Sequence, residues 1–196
     1  WLIELATKHR KRIQVRLVKG AYWDTEIKLS QMGGFEEYPV FTRKLATDVS
    51  YLACAQKLLE AQEAIYPQFA THNAYSIAAI LTMLGDQLHL SRFEFQNLQG
   101  MVKSLHDLLV DKDQYHVTTR VYAPVGSHED LLPYLVRRLL ENGANSSFVN
   151  QINNAKIPLE QIVANPVARI QTLSPVRNDR IPLPKAIYGE TRVNSS

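Results

Sequence analysis

Four short segments alternate apolar with polar residues, and a helical pattern follows each of them; that order constrains the chain more than any other feature. The first is Ile13–Val18, where Ile13, Val15 and Leu17 alternate with Gln14 and Arg16. The others are residues 68–71, residues 93–96, which put Phe93 and Phe95 on one face and Glu94 and Gln96 on the other, and residues 120–123. Between them the spacing predicts helices over residues 43–64, over Ala74–Leu84 with Asn73 as N-cap and Gly85 as stop, and over residues 101–110. A final helix runs to Asn142, capped by Asp130, with Pro133 in its first turn and Gly143 at its end. Strand followed by helix, four times over, predicts an α/β fold with a parallel sheet and covering helices. Thr71, Gln96 and Val121 stand 25 residues apart, the length of one βα unit.

A complete (β/α)8 barrel takes about 250 residues, and this chain has 196. No initiator Met precedes Trp1, and the chain runs straight into helix-like periodicity, so a segment cut from a longer polypeptide is expected. No run approaches the roughly 18 apolar residues of a membrane span, and Trp1, Leu2, Ile3, Glu4 and Leu5 show no signal-peptide pattern. The single cysteine, Cys54, can form no internal disulfide and points to a reducing compartment; Leu52, Ala53, Ala55 and Leu58 around it predict a buried structural thiol. The net charge of +3 resides in residues 151–196, which hold six Lys/Arg against three Asp/Glu, whereas residues 1–150 hold sixteen of each. With no basic stripe interleaved with aromatics, nucleic acid is not expected as a partner. Five of the nine prolines follow residue 151; one short helix near residues 159–163 and an extended linker over 174–196 are expected there.

In parallel α/β folds ligands lie at the carboxyl ends of the strands. Residues 16–23, Thr71 to Asn73, Gln96 to Gly100, and Tyr122 with the helix after it all map there. Arg16 in the middle of an alternating strand is costly to bury unless an anion or electron-rich group meets it; the plainer alternative is an ion pair to a strand carboxylate such as Glu94. Thr71, His72 and Asn73 read equally as a capping segment. No G-x-S-x-G supplies a nucleophile, and the remaining histidines show no metal-ligand spacing, so neither a hydrolase nor a metal site is expected. G-x-G-x-x-G and G-x-x-x-x-G-K-[ST] are both missing from the sequence, which disfavours Rossmann and P-loop modes. In the last helix Leu131, Leu132, Leu135, Val136, Leu139 and Leu140 form an apolar face and Tyr134, Arg137, Arg138 and Glu141 the opposite one. Periodicity alone favours a solvated stripe with an Arg137 to Glu141 pair, although two guanidiniums could equally clamp one carboxylate.

The segments RLVKGAYWDTEIK (16–28), YPVFTRKLATDVSYLACAQKLL (38–59), YPQFATHNA (66–74), FEFQNLQGM (93–101) and VYAPVGSHEDLLPYLVRRLLENGANSSFVN (121–150) resemble the proline dehydrogenase domain of the bifunctional proline utilization A flavoenzymes. The tail IPLPKAIYGETRVNS (181–195) resembles the lead into that family's aldehyde dehydrogenase domain. The resemblance implies the C-terminal half, strands five to eight, of a distorted (β/α)8 TIM-like barrel over residues 1–150, with 151–196 leading toward a downstream NAD-dependent domain. It implies FAD as cofactor and oxidation of L-proline to Δ1-pyrroline-5-carboxylate by hydride transfer to flavin N5. Arg16 then falls near flavin N5; Val18, Gly20, Ala21, Tyr22 and Trp23 along the isoalloxazine and adenine; and Thr42, Thr71, His72, Asn73, Gln96 and Glu141 at other FAD contacts. Tyr22, Leu98, Tyr122, Arg137 and Arg138 match the proline pocket, the arginine pair binding the substrate carboxylate. Asn97, Gln99, Val102 and Lys103 depart from the family's usual residues after strand seven. A cytoplasmic parent that touches the membrane peripherally and passes electrons to a membrane quinone is implied as well. The lysine and aspartates of the family's first strands have no counterpart in this chain, so the segment alone is expected to be inactive and prone to self-association. A reading of another class is a non-catalytic parallel α/β module that captures an anionic metabolite through Arg137 and Arg138.

Overall fold

Strand β1 (Ile13–Val18) pairs in parallel with β2 (Ile65–Ala70), β2 with β3 (Glu94–Leu98), and β3 with β4 (Thr119–Tyr122). The sheet order β1-β2-β3-β4 follows the sequence without reversal, as consecutive βα units winding in one direction require. These facts come from a computed structural model that describes residues 1–143, 148–152 and 154–187. The chain divides into two compact units, one of residues 1–19 and 50–163, the other of residues 20–49 and 164–196.

The first unit contains α1 (Leu2–Lys8), the sheet and most of the helices. After α2 (Trp23–Met32) in the other unit, α3 (Lys44–Leu59) crosses the boundary; α4 (Ala74–Leu84), α5 (Lys103–Val110), α6 (His128–Gly143), α7 (Phe148–Ile152) and α8 (Leu159–Ile162) follow. Strand register sets Arg16, Gln68 and Glu94 in one row, and Val18, Ala70, Gln96 and Arg120 in the next row of the same face. The other face carries Phe69 and Phe95, both 0% exposed, and packs with Phe93 on Tyr51, Leu52 and Ala55 of α3, Ile77, Ile80 and Leu84 of α4 and Leu109 of α5. The three phenylalanine rings lie 5.5 to 6.0 Å apart in tilted and edge contacts, a favoured geometry for aromatic pairs. A smaller cluster of Ile3, Ala6, Ile13 and Ile65 gathers at the start of β1 and β2.

The helix expected over 74–84 forms as the sequence dictates: the Asn73 side chain accepts from the Ser76 N–H at 3.2 Å, and Gly85 ends the helix at φ +48°, a conformation that favours glycine. Elsewhere the structure corrects the expectation. Strand β2 starts at Ile65, with Pro67 buried ahead of the β2–β3 ladder that begins at Gln68. Helix α3 ends at Leu59, and its inward residues Tyr51, Leu52 and Ala55 leave Cys54 exposed, not buried. Helix α6 starts two residues before Asp130. Ser127 Oγ accepts from the Asp130 N–H at 3.3 Å and donates to Asp130 Oδ2 at 2.7 Å, so Ser127 is the cap and Pro133 falls in the second turn, where it removes a helical hydrogen bond.

In the second unit α2, which periodicity did not reveal, buries Ile27 and Ser30. Helix α9 (Pro166–Gln171) and a short turn at Pro184–Ala186 belong to the same unit. The described part of the expected linker is tied down: Tyr38 donates to the Pro182 carbonyl at 2.9 Å, the Asn178 N–H donates to Thr42 Oγ1 at 2.9 Å, and Lys185 pairs with Glu36.

Candidate active site

At the carboxyl ends of the strands the first unit gathers a polar constellation on the face opposite the one that packs on α3, α4 and α5. Alternation puts Arg16 there, and it is exposed, so the burial cost expected of it does not arise. Its Nε donates to Gln96 Oε1 at 2.8 Å, and its guanidinium carbon stands 5.1 Å from the centre of the Tyr122 ring. Glu94, the alternative partner for Arg16, is taken instead by Arg120, whose Nε and Nη2 donate to its two oxygens at 2.9 Å each. Gln96 Nε2 donates to Glu94 Oε1 at 2.7 Å, Gln68 Nε2 to the same oxygen at 3.0 Å, and Tyr66 Oη to Oε2 at 3.4 Å. The Arg120 hydrogen bond, more than any other contact, holds the Glu94 carboxyl below the usual carboxylate range against the opposing effect of burial.

Helix α6 turns Tyr134, Arg137 and Arg138 inward and leaves Leu132, Leu135, Val136, Leu139 and Leu140 exposed, the reverse of a solvated polar stripe. Arg138 stacks 5.3 Å from the centre of the Tyr134 ring. Burial raises the Tyr122 hydroxyl's pKa, and the positive charges of Arg16 and Arg138 oppose that rise. The side chain of Glu141 lies outside the described residues.

His72 Nε2 accepts from the Leu98 N–H at 3.0 Å. Burial first, then the charges of His106, Arg138 and Arg16, push its pKa down to about 4, so near neutral pH the imidazole is uncharged and its proton sits on Nδ1. With Nε2 engaged by the Leu98 N–H, the ring's other nitrogen carries the hydrogen-bond donor. The sign of its pH effect follows. Between its unfolded value near 6.5 and about 4 the unfolded chain takes up a proton that the folded chain refuses, so stability falls as pH drops through that window. Thermal unfolding of the wild type against His72→Asn from pH 7 to pH 4 checks this: the wild type is expected to lose more stability over that range, and parallel curves would contradict the assignment.

Thr71 is buried and its Oγ1 accepts from the Asn73 N–H at 3.1 Å, so both residues shape the turn into α4; Leu98 is buried at the end of β3, and Val18 is exposed at the end of β1. Gly20, Ala21, Tyr22, Trp23 and Thr42 belong to the second unit. There Tyr22 and Trp23 are exposed aromatics, Trp23 Nε1 donates to the Phe41 carbonyl at 2.9 Å, and a Cβ on Gly20 would meet the Tyr22 ring at 3.5 Å. Glu94, Gln68, Arg120 and Lys19 join the constellation without being expected from the sequence. Same-face alternation in β2, β3 and β4 is the signal for the first three. Lys19 follows β1, donates to Ser76 Oγ at 3.3 Å and stands 4.9 Å from the centre of the Tyr51 ring. Among the described residues no group of three His, Cys, Asp or Glu side chains could hold a metal ion, and no helix is long and apolar enough to cross a membrane.

A parallel α/β sheet wound in one direction carries arginines and a histidine at its strand ends, the place where such folds hold their ligands. The family profile for proline dehydrogenase matches residues 1–151. The bifunctional protein PutA of Salmonella typhimurium is 52% identical over 205 residues, covering 100% of this chain and 16% of the relative; that of Rhizobium meliloti is 48% identical over 198 residues with the same coverage. A mutant proline utilization A structure from Bradyrhizobium japonicum superposes with a TM-score of 0.88 at 51% identity, covering 98% of this chain and 20% of that one. The chain belongs to the proline dehydrogenase family, and it spans about a sixth of the length of these PutA relatives.

Proposed function

We propose that this chain forms strands five to eight of a distorted (β/α)8 barrel, over residues 1–150, that holds FAD and oxidises L-proline to Δ1-pyrroline-5-carboxylate, with residues 151–196 leading toward an NAD-dependent aldehyde dehydrogenase domain. The observation that carries the reading is the inward turn of Arg137 and Arg138 on α6, with Arg138 acting electrostatically on both His72 and Tyr122 at the strand ends. The donor chemistry suits FAD: Arg16 and the His72 Nδ1–H are donors beside neutral polar side chains, and the buried Glu94 is already satisfied by Arg120. Arg16, Val18, Thr71, His72, Asn73 and Gln96 of the first unit would hold it. The family resemblance assigns Gly20, Ala21, Tyr22, Trp23 and Thr42 of the second unit, and Glu141, to the same cofactor.

When bound, FAD supplies the hydride acceptor, N5, for the hydrogen leaving proline C5. The protein's task is then orientation and electrostatics. Arg137 and Arg138 grip the carboxylate, Tyr122 and Leu98 border the ring, and the proline nitrogen gives up its proton as the C=N bond forms. Arg16 places positive charge where negative charge accumulates. A membrane quinone reached peripherally from the cytoplasm would take the electrons onward.

A proline-dependent dye-reduction assay on the full-length protein carrying this segment tests the reading. Turnover with L-proline is expected, and a flavin-loaded protein that ignores proline would contradict it. In the same protein Arg16→Met is expected to lower kcat by about tenfold or more at saturating proline. Normal stopped-flow reduction with weakened FAD binding would make Arg16 an anchor instead.

A further inference from the structure

We propose that Glu94 is a positioning residue for Arg16, acting through the side-chain amide of Gln96. The inference rests on the reading of Arg16 as the charge facing the reacting flavin. Glu94 is 0% exposed, in the middle of the sheet, and its carboxylate is an acceptor only. It therefore determines which end of the Gln96 amide faces it. The amide nitrogen must donate to Glu94, at 2.7 Å, and the amide oxygen is thereby turned to Arg16, whose Nε reaches it at 2.8 Å. Arg16 offers only donors, so it needs that oxygen: a reversed amide would set N–H against N–H at Arg16 and oxygen against oxygen at Glu94. Glu94 and Gln96 are two residues apart on one face of β3, which makes the relay a product of strand alternation.

Arg120 completes the device. Its two hydrogen bonds keep the buried carboxylate ionised, so the acceptor that orients Gln96 is a full negative charge and not a carboxylic acid whose hydroxyl could present a donor. Gln68 and Tyr66 also donate to the carboxylate, one to each oxygen, and fix its orientation. A carboxylate serving only to pair Arg120 would not need an amide interposed toward Arg16. In the chain Arg120, Glu94, Gln96, Arg16 every hydrogen bond runs toward Glu94: Arg16 donates to Gln96, and Gln96 and Arg120 both donate to the carboxylate.

The test uses the full-length flavin-loaded protein. Glu94→Gln removes the charge that sets the amide. The rate constant for flavin reduction at saturating proline is expected to fall about tenfold, with KM for proline within about twofold, since Arg137 and Arg138 are untouched. The flavin midpoint potential is expected to move negative, because a displaced guanidinium no longer favours the reduced, anionic form; a stability role would not move it. The exchange variant Glu94→Gln/Gln96→Glu sets a carboxylate directly against Arg16, with the hydrogen bond between positions 94 and 96 reversed, and should recover most of the rate and the potential. Gln96→Leu leaves the Glu94–Arg120 pair in place, serves if the Glu94 variants fail to fold, and should show the same loss as Glu94→Gln. A wild-type rate and potential in Gln96→Leu or Glu94→Gln would overturn the proposal, as would a folded exchange variant that stays slow. A wild-type protein whose flavin proline does not reduce would instead overturn the functional reading on which the proposal rests.

Discussion

Changing Arg137 or Arg138 to Met in the full-length protein is expected to lower kcat/KM for proline by roughly 30- to 1,000-fold, mostly through KM, while flavin content stays near wild type. The range is what loss of a desolvated, charge-assisted carboxylate contact amounts to, about 2–4 kcal/mol. Two adjacent arginines on α6 are both half-buried, and they face inward beside Tyr134 although the helix has a wide apolar face to bury in their place. A planar guanidinium fork suits a carboxylate, and two of them side by side on one helix face can grip both of its oxygens. Steady-state kinetics with L-proline decide it: an unchanged KM in both variants would remove the clamp from the account.

The 196-residue chain on its own is expected to show no proline turnover, poor FAD affinity and self-association. Strands β1 and β4 are the two edges of the sheet among the described residues, so each presents unpaired backbone groups. Beside the β4 edge Val121 is 59% exposed, and α6 leaves Leu139 and Leu140 at 70% and 65%. Surfaces of this kind pair with a second copy when nothing else covers them. Sedimentation, calorimetric FAD titration and a proline–dye assay on the purified chain check the three parts. A stable monomer would refute the edge argument, and measurable turnover would refute the dependence on residues this chain does not supply.

How much was legible in the sequence differed by the kind of signal. The four strands were readable because alternation in β1 and β3 is two-faced, Ile13, Val15 and Leu17 against Gln14 and Arg16, and Phe95 against Glu94 and Gln96. Asn73 and Gly85 bounded α4 by local chemistry that tertiary contacts do not override. Helix α6 shows where the signal misled: its apolar stripe reads as the inward face, yet the arginine face is turned in and the leucines are out, because orientation depends on which surface another element covers. Cys54 failed for the same reason, with a sequence neighbourhood that is apolar and a helix face that is exposed. The cluster of Arg16, Gln96, His72 and Tyr122 could be placed at the strand ends from topology alone. The pairing of Glu94 with Arg120 in preference to Arg16 could not, since both arginines lie on the face that Glu94 shares, and strand register with side-chain reach decides between them.

The central claim is that these strand ends hold proline against a flavin. Anaerobic titration of the full-length, flavin-loaded protein with L-proline, following the flavin absorbance, tests it most directly. Saturable bleaching by proline, shifted to much higher concentration by Arg138→Met, is the predicted result; a flavin that keeps its oxidised spectrum at high proline, or a protein that carries no flavin, would contradict it.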